Sequence, residues 1–306
     1  MLIERVERQA TPEQQAELVE WIARFTPGDG FHATTVPGLH LYRASECAPA
    51  VPTLYEPRLV VVAQGSRYAW LGGESYRFDP LHYLVVSMPL PVSSQVLDAT
   101  PEHPFLSLRL DLDLTEIGAL MLDIPSHVPP KPCIDRALYT ARMRAPLLDA
   151  VLRLMRLLDS PADARVLTPL IRREIHYRLL TGEFGQRLRN LATSSSHSNR
   201  MARAVALLQA QFDQPLRIEK LAQSLHMSAS SLHHQFKAAT AMSPLQFVKR
   251  LRLHEARRLM LTEGMEAARA AHRVGYESPS QFSREYKRLF GAPPHAEISS
   301  LRRLEA

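Results

Sequence analysis

Two stretches near the end of this chain repeat one another, and a repeat obliges both copies to fold alike. Ile218–Lys237 reads IEKLAQSLHMSASSLHHQFK and Ala267–Lys287 reads AARAAHRVGYESPSQFSREYK. Ser228 and Ser278, Leu232 and Phe282, Phe236 and Tyr286, and Lys237 and Lys287 each stand 50 residues apart; Ala222 and Ala271, and Leu225 and Val274, stand 49 apart, so one residue is inserted at the turn. In each copy a small alanine lets two helices cross closely, and an apolar residue three positions on closes the first helix. A turn follows, in which Gly275 suits a left-handed backbone, and a serine then caps a second helix. That helix has an inward face of Leu232 and Phe236, or Phe282 and Tyr286, at i, i+4. The pattern predicts two helix-turn-helix units, at about 218–237 and 267–288. One such hairpin alone would read as part of a helical bundle; two aligned copies in a basic segment read otherwise.

The faces opposite those apolar pairs carry small or hydrogen-bonding side chains, the kind that reads base edges in a major groove. Ser230, His233, His234, Ser280, Ser283 and Arg284 are the candidates for base contact, with Arg284 suited to guanine O6 and N7. Pairing with Glu277 or with a phosphate is the alternative for Arg284. Lys237, Arg250, Lys287 and Arg288 are the candidates for phosphate contact, which fixes register without reading sequence. Between the units, Ser243-Pro244 caps a helix that continues to about Thr262, with Phe247, Leu251, His254 and Leu261 inward and Arg250, Arg252, Arg257 and Arg258 outward. Twenty residues make a rod of roughly 30 Å, against about 34 Å between successive major-groove faces. Charge agrees: residues 193–306 hold 17 basic and 9 acidic residues, a balance of +8, whereas the preceding 192 hold 20 and 22, a balance of −2. Such asymmetry is the electrostatic footprint of a nucleic-acid-binding module joined to a neutral one, or more blandly a solvated basic face.

Upstream, the 306-residue chain is 45% hydrophobic and 22% charged, an ordinary globular composition. No apolar run suits a membrane span, Met1–Arg8 lacks a signal-peptide core, and two cysteines, Cys47 and Cys133, support neither a disulfide framework nor a CxxC zinc site. A cytoplasmic protein with no membrane partner is expected. Thr11-Pro12-Glu13-Gln14 opens a short helix ending near Thr26-Pro27-Gly28. From 31 to 115 the pattern becomes strand-like: Leu39–Arg43, Leu59–Ala63, a hairpin around Gly72-Gly73, Tyr83–Met88 and Phe105–Asp111, punctuated by prolines that central strands exclude. That spacing suggests a small jelly-roll or barrel. Beyond Ile134 the chain reads as helical throughout, with amphipathic helices at Pro146–Leu158 and Ala162–Leu180 that either mediate dimerisation and relay or merely cover the barrel. A polar run from Thr193 to Asn199 reads as linker, giving units of 1–185 (helical part about 144–181) and 199–306 joined by 186–198.

On these motifs residues 200–298 resemble the DNA-binding domain of the AraC/XylS transcription regulators. Ala271–Pro294 carries the resemblance, with Tyr276 after the glycine, the aromatic–basic run and the terminal Gly291-x-x-Pro294; the first copy departs in having His233-His234 where the family often uses Arg or Gln. Residues 32–115, with Tyr55-Glu56-Pro57, Val62–Gly65 and Leu84–Pro91, resemble the cupin-like N-terminal domain of one AraC subgroup. The resemblance implies an α+β fold: a cupin-like β-barrel with flanking helices, then an all-α domain of two helix-turn-helix units joined by a long helix. It implies a transcription factor that binds double-stranded promoter DNA, with a sensing or dimerising N-terminal half, a possible homodimer, and RNA polymerase as partner if the chain is an activator. Tyr55, Tyr68, Trp70, Tyr76 and Tyr83 are candidates to line an effector pocket, each equally readable as core. His32, His40, His82 and His103 are scattered with no His-x-His pair, so neither a metal-dependent cupin enzyme nor any cofactor is expected. Cys47 sits in a loop, as a reactive or an inert thiol. The competing readings are a cupin-type enzyme and a DNA-binding protein without effector.

Overall fold

The computed structural model describes residues 9–124, 136–193 and 196–305. The readings of Met1–Arg8, Cys133, Ser194 and Ser195 lie outside the described residues. Helix α1 (Pro12–Phe25) starts as its sequence demands: Thr11 Oγ1 accepts from Gln14 N, the Gln14 side chain accepts from Thr11 N, and Leu18 and Ile22 are buried. Strands β1 (Gly30–Ala33), β2 (Leu39–Ala44), β3 (Val51–Tyr55), β4 (Arg58–Gln64), β5 (Ser66–Leu71), β6 (Glu74–Phe78), β7 (His82–Val86), β8 (Leu90–Asp98), β9 (Phe105–Asp111) and β10 (Leu138–Arg142) form two antiparallel sheets. One is six-stranded in the order β1-β2-β9-β4-β7-β10; the other is four-stranded in the order β3-β8-β5-β6. The Gly-Gly hairpin joins β5 to β6 with Leu71 opposite Glu74, and Gly72 (φ +63°) and Gly73 (φ +117°) take the positive φ that a tight hairpin turn requires.

Helices α2 (Leu114–Asp123), α3 (Ala145–Arg156), α4 (Pro161–Thr181) and α5 (Gly185–Ala192) join α1 on one face of the six-stranded sheet. Strand β4 shows why its sequence is continuously apolar: Leu59 and Val61 face those helices, while Val62 faces the opposite way. Three expectations need correction. The chain is not helical throughout after Ile134, because Leu138–Arg142 pairs with β7 and completes the larger sheet. The segment 186–198 is not simply linker, since α5 occupies its first half and buries Leu188 and Leu191. Pro91 lies inside β8, a central strand, opposite Leu54.

The C-terminal part comprises α6 (His197–Ala210), α7 (Ile218–Ser224), α8 (Ala229–Thr240), α9 (Pro244–Thr262), α10 (Ala267–Arg273), α11 (Pro279–Phe290) and α12 (Pro294–Glu305). Its first half shares a core with the barrel: Leu71, Phe78, Leu84, Val86 and Leu90 belong to one buried cluster with Leu225, Leu232, Phe236, Phe247 and Leu251. The second half has a separate core of Leu253, Ala256, Ala271, Val274, Phe282, Tyr286 and Ile298. Polar ties reinforce the shared core. Arg136 pairs with Glu74 at 2.7 Å and donates to the carbonyls of Lys237 (2.9 Å) and Ala238 (2.5 Å), while Ala137 N donates to Ala239 O at 3.1 Å. The hairpin tip closes the joint, for a Cβ on Gly72 would lie 2.3 Å from the Cβ of Ala241.

His176 is fully buried with both ring nitrogens unbonded, and His254 is half-buried with its Nε2 enclosed and unbonded. His176 Nδ1 lies 2.9 Å from Glu116 Oε2 but off the hydrogen-bonding direction, and burial, aided by Arg172 and opposed by Asp113, holds its pKa down at about 4. His254 is likewise held at about 4 by burial and by the charges of Arg257 and Arg250. Both folded values lie below the ordinary value of about 6.5, so the unfolded chain takes up protons that the folded chain refuses. Stability should therefore be complete above about pH 6.5 and fall progressively towards pH 4. Urea midpoints at pH 7, 6 and 5 check this: a loss on the order of 1 kcal/mol or more by pH 5 is expected, and a flat profile across that window contradicts it.

Candidate nucleic-acid interface

The repeat extends to individual bonds. In the first unit Met227 N donates to Ala222 O, and in the second Tyr276 N donates to Ala271 O, both at 2.9 Å. The left-handed residue of the second turn is Gly275 (φ +87°), and at the matching position of the first unit it is His226 (φ +55°), a residue type that tolerates this region better than most. Ser228 Oγ accepts from Ser231 N at 3.2 Å and Ser278 Oγ from Gln281 N at 3.3 Å, so both second helices are capped alike. Each ends in a left-handed residue, Ala241 or Gly291, whose N–H donates at 2.8 Å to the carbonyl of Lys237 or Lys287. Aromatic packing fixes the inner faces, with Phe236 against Phe247 and Phe282 between Tyr276 and Tyr286, each pair 5.4 Å apart. Tyr276 donates to Glu285 and Tyr286 to Glu297, both at 2.8 Å; burial pushes both phenols well above their ordinary pKa.

Outside these caps and cores stand the predicted reading faces. Ser230, His233, His234 and Lys237 are exposed on α8; Ser280, Arg284, Lys287 and Arg288 are exposed on α11, and Ser283 is half-buried. Among the described residues Lys237, Arg284, Lys287 and Arg288 form no ion pair, so the Arg284–Glu277 alternative is not realised. The basic residues of α9 behave differently. Arg257 pairs with Glu297 at 2.6 Å, Arg258 with Glu255 at 2.8 Å, and Lys249 with Glu285 at 2.6 Å. Arg250 departs from its predicted phosphate role: its half-buried guanidinium donates to Pro91 O at 3.3 Å, and burial lowers its pKa. It turns towards the barrel.

The five aromatic candidates of the barrel do not share one cavity. Tyr55 is buried beneath the Arg58 guanidinium, 5.2 Å away. Tyr68 and Trp70 stack on each other at 5.6 Å on the four-stranded sheet, and Tyr76 donates to Glu74 at 2.5 Å. Tyr83 lines a cleft of about 380 Å³ with Arg142, Arg144 and Arg178. A larger cleft of about 460 Å³ is lined by Gly72 at the hairpin tip together with Met242, Lys249, Arg250, Glu285 and Arg288. Sequence reading missed it because its walls come from three segments far apart in the chain. His32 bonds Gly28 O and His82 bonds Asp79, and among the described residues no three His, Cys, Asp or Glu side chains converge as a metal site. Cys47 is exposed and donates from Sγ to Leu97 O at 2.8 Å. No helix among the described residues is long and apolar enough to cross a membrane.

Comparison with known proteins follows the same division. The family model described as AraC-type transcriptional regulator N-terminus matches residues 35–187, and the model described as helix-turn-helix domain matches residues 221–298. The transcriptional regulator GbdR of Pseudomonas aeruginosa is 28% identical over 123 residues, 40% of this chain and 34% of that one. The transcriptional activator RhaS of Salmonella schwarzengrund is 25% identical over 153 residues, 50% of this chain and 55% of that one. The chain thus spans about a third to a half of the length of these curated relatives. Among solved structures, ToxT of Vibrio cholerae bound to (E)-4-(8-methylnaphthalen-1-yl)but-3-enoic acid superposes with TM-score 0.59 at 13% identity, over 85% of this chain and 97% of ToxT. The unsaturated-fatty-acid-bound form gives TM-score 0.57 at 10% identity, over 85% and 94%. These likenesses establish the α+β architecture. The caps give the site its test: Ser228→Ala and Ser278→Ala should each cost about 1 kcal/mol in chemical denaturation, and a change near zero in both contradicts the capping role.

Proposed function

The chain belongs to the family of AraC-type transcriptional regulators, and on that footing we propose that it binds promoter DNA sequence-specifically by presenting α8 and α11 to two adjacent major grooves. One observation carries the reading: cations on the outer faces of the two capped helices are unpaired among the described residues, whereas Lys249, Arg257 and Arg258 on the connecting helix are tied to carboxylates. Unpaired cations on a reading face are available to phosphates and base edges. Arg284 then reads a base, Ser230, His233, His234, Ser280 and Ser283 make shorter contacts, and Lys237, Lys287 and Arg288 hold phosphates.

The barrel half, up to about residue 185, serves in this reading as sensor and dimerisation unit. ToxT structures that hold a fatty acid or an arylbutenoic acid support control by a small molecule. The core shared between barrel and first reader supplies the means, since a change in barrel packing is felt at Leu232 and Phe236. Dimerisation is assigned to α4, where Val166 is 65% and Leu170 61% exposed. Two such chains act on cytoplasmic DNA, with RNA polymerase the partner where the outcome is activation; catalysis has no part in this reading.

Selection of duplexes from a random pool by the full chain, then footprinting of the DNA beside its own gene, tests the proposal. Two protected tracts about one helical turn apart are expected, and no enrichment of any sequence would refute it. On the selected duplex Arg284→Ala should cost about 1–3 kcal/mol with little effect on random DNA, while Lys287→Ala should weaken both alike. Equal loss on both duplexes for Arg284→Ala removes its base-reading role. Leu170→Asp should shift the chain from dimer to monomer in light scattering; an unchanged mass removes α4 from the interface.

A further inference from the structure

Two readers on one chain must be held in phase. A slip of one base pair displaces a half-site by about 3.4 Å and turns it by roughly 34°. Helix α9 joins the two units over 19 residues but belongs to both cores, the first through Phe247 and Leu251 and the second through Leu253 and Ala256. Something must fix the two units against each other about that rod. We propose that Arg252 is that residue, a positioning residue that sets the half-site spacing this chain accepts; the inference rests on the function proposed above.

Arg252 lies near the middle of α9. Its Nε donates to Phe212 O at 2.6 Å and its Nη2 to Gln214 O at 2.9 Å, both in the segment after α6 in the first unit; its Nη1 donates to Gly275 O at 2.8 Å, in the turn of the second unit. One planar guanidinium thus holds three backbone carbonyls from both units, a geometry only its rigid fork of donors provides. The surroundings are built to this contact. A Cβ on Gly275 would lie 2.3 Å from Asp213 O and 3.2 Å from Arg252 Cζ, so loop and turn meet backbone to backbone. The Phe212 side chain packs against the cores of both units, and the guanidinium lies over Tyr276 at 5.9 Å.

The repeat supplies an internal control. Fifty residues on from Arg252 stands Arg302, which donates to Met260 O at 2.8 Å. Arg302 therefore ties α12 to the end of α9 within the second unit, where Arg252 ties the end of α6. What Arg252 adds is the reach across to Gly275. Gly275 sits three residues before Ser278, the cap of the second reader, so the bond to its carbonyl fixes where α11 begins relative to the first unit.

The test uses the full chain and fluorescence-labelled duplexes selected by the wild type from a random pool. The set comprises the selected duplex, versions with one or two base pairs added or removed between half-sites, and versions with either half-site scrambled. Arg252→Lys keeps the charge and loses the fork; Arg252→Gln keeps a planar donor and guards against a folding failure; Arg302→Lys is the control, and far-UV circular dichroism with thermal midpoints reports folding. The wild type should lose roughly tenfold or more for each base pair of mis-spacing, as expected when a rigid linkage ceases to let both modules engage. Arg252→Lys and Arg252→Gln should bind the selected duplex roughly tenfold more weakly, keep wild-type affinity for single half-sites, and show a spacing penalty reduced to about twofold. Arg302→Lys should keep the wild-type spacing profile. Wild-type spacing penalties in both Arg252 variants, or equal weakening on single half-sites, overturn the inference and leave the function standing. A wild type that selects one sequence yet ignores spacing overturns it as well, whereas a wild type that selects no sequence defeats the functional reading itself.

Discussion

A single apolar core runs from the barrel into the first helix-turn-helix unit, and the rest of the molecule is arranged around it. Phe78, Leu84 and Leu90 on one side and Leu232, Phe236 and Phe247 on the other are buried together. Interiors pack as densely as organic crystals, so these side chains cannot shift independently. The first reader is thereby part of the barrel's own packing, with Arg136 fastening the carbonyl end of α8 to Glu74. The second reader has its own core and reaches the first through α9 and the Phe212–Gly275 joint. Mechanical coupling therefore runs from barrel to first reader through a continuous interior, and reaches the second reader through α9, the Arg252 guanidinium, the Lys249–Glu285 pair and a direct contact of α11 with β3.

What the sequence disclosed and what it concealed divide along the range of the interactions. Capping boxes, serine caps, the Gly-Gly turn and the repeat are local, so Thr11, Ser228, Ser278, Gly72 and Gly275 could be read directly, and the long connecting helix with its Ser243-Pro244 start was visible for the same reason. Strand β10 escaped because Leu138–Arg142 is short and follows a stretch without a strand signal; its pairing with β7 is a long-range fact. Helix α5 escaped because its eight residues lie just before a polar run that suggested a linker. Pro91 entered a central strand because it is only the second residue of β8, at the end where the ladder begins.

The same distinction governs the site. Helical spacing alone places Ser230, His233, His234, Ser280 and Arg284 on the outer faces of α8 and α11, and there they are exposed, with Ser283 half-buried beside them. Whether a cation is free or tied depends on partners 36 or 40 residues away, as with Lys249 and Glu285 or Arg257 and Glu297. Arg250 could not be told from its neighbours by spacing, because its partner is a carbonyl 159 residues distant. The aromatic residues of the barrel were legible as strand residues, but alternation along a strand sends Tyr68 and Trp70 to one face while the chain's path alone decides which face encloses space.

The contact between Gly72 and Ala241 has a consequence for how this protein can change. The two positions lie in different halves of the chain, one at a hairpin tip and one ending the first reader, and the absent side chain of the first makes room for the methyl group of the second. Ala241 also holds a left-handed backbone that a glycine would adopt more easily. Position 72 is thus closed to a side chain twice over, because a Cβ there would also lie 2.7 Å from the backbone oxygen of Ala241 and the hairpin turn needs the positive φ. The glycine at the hairpin tip therefore marks where the two halves were fitted to one another, backbone against backbone.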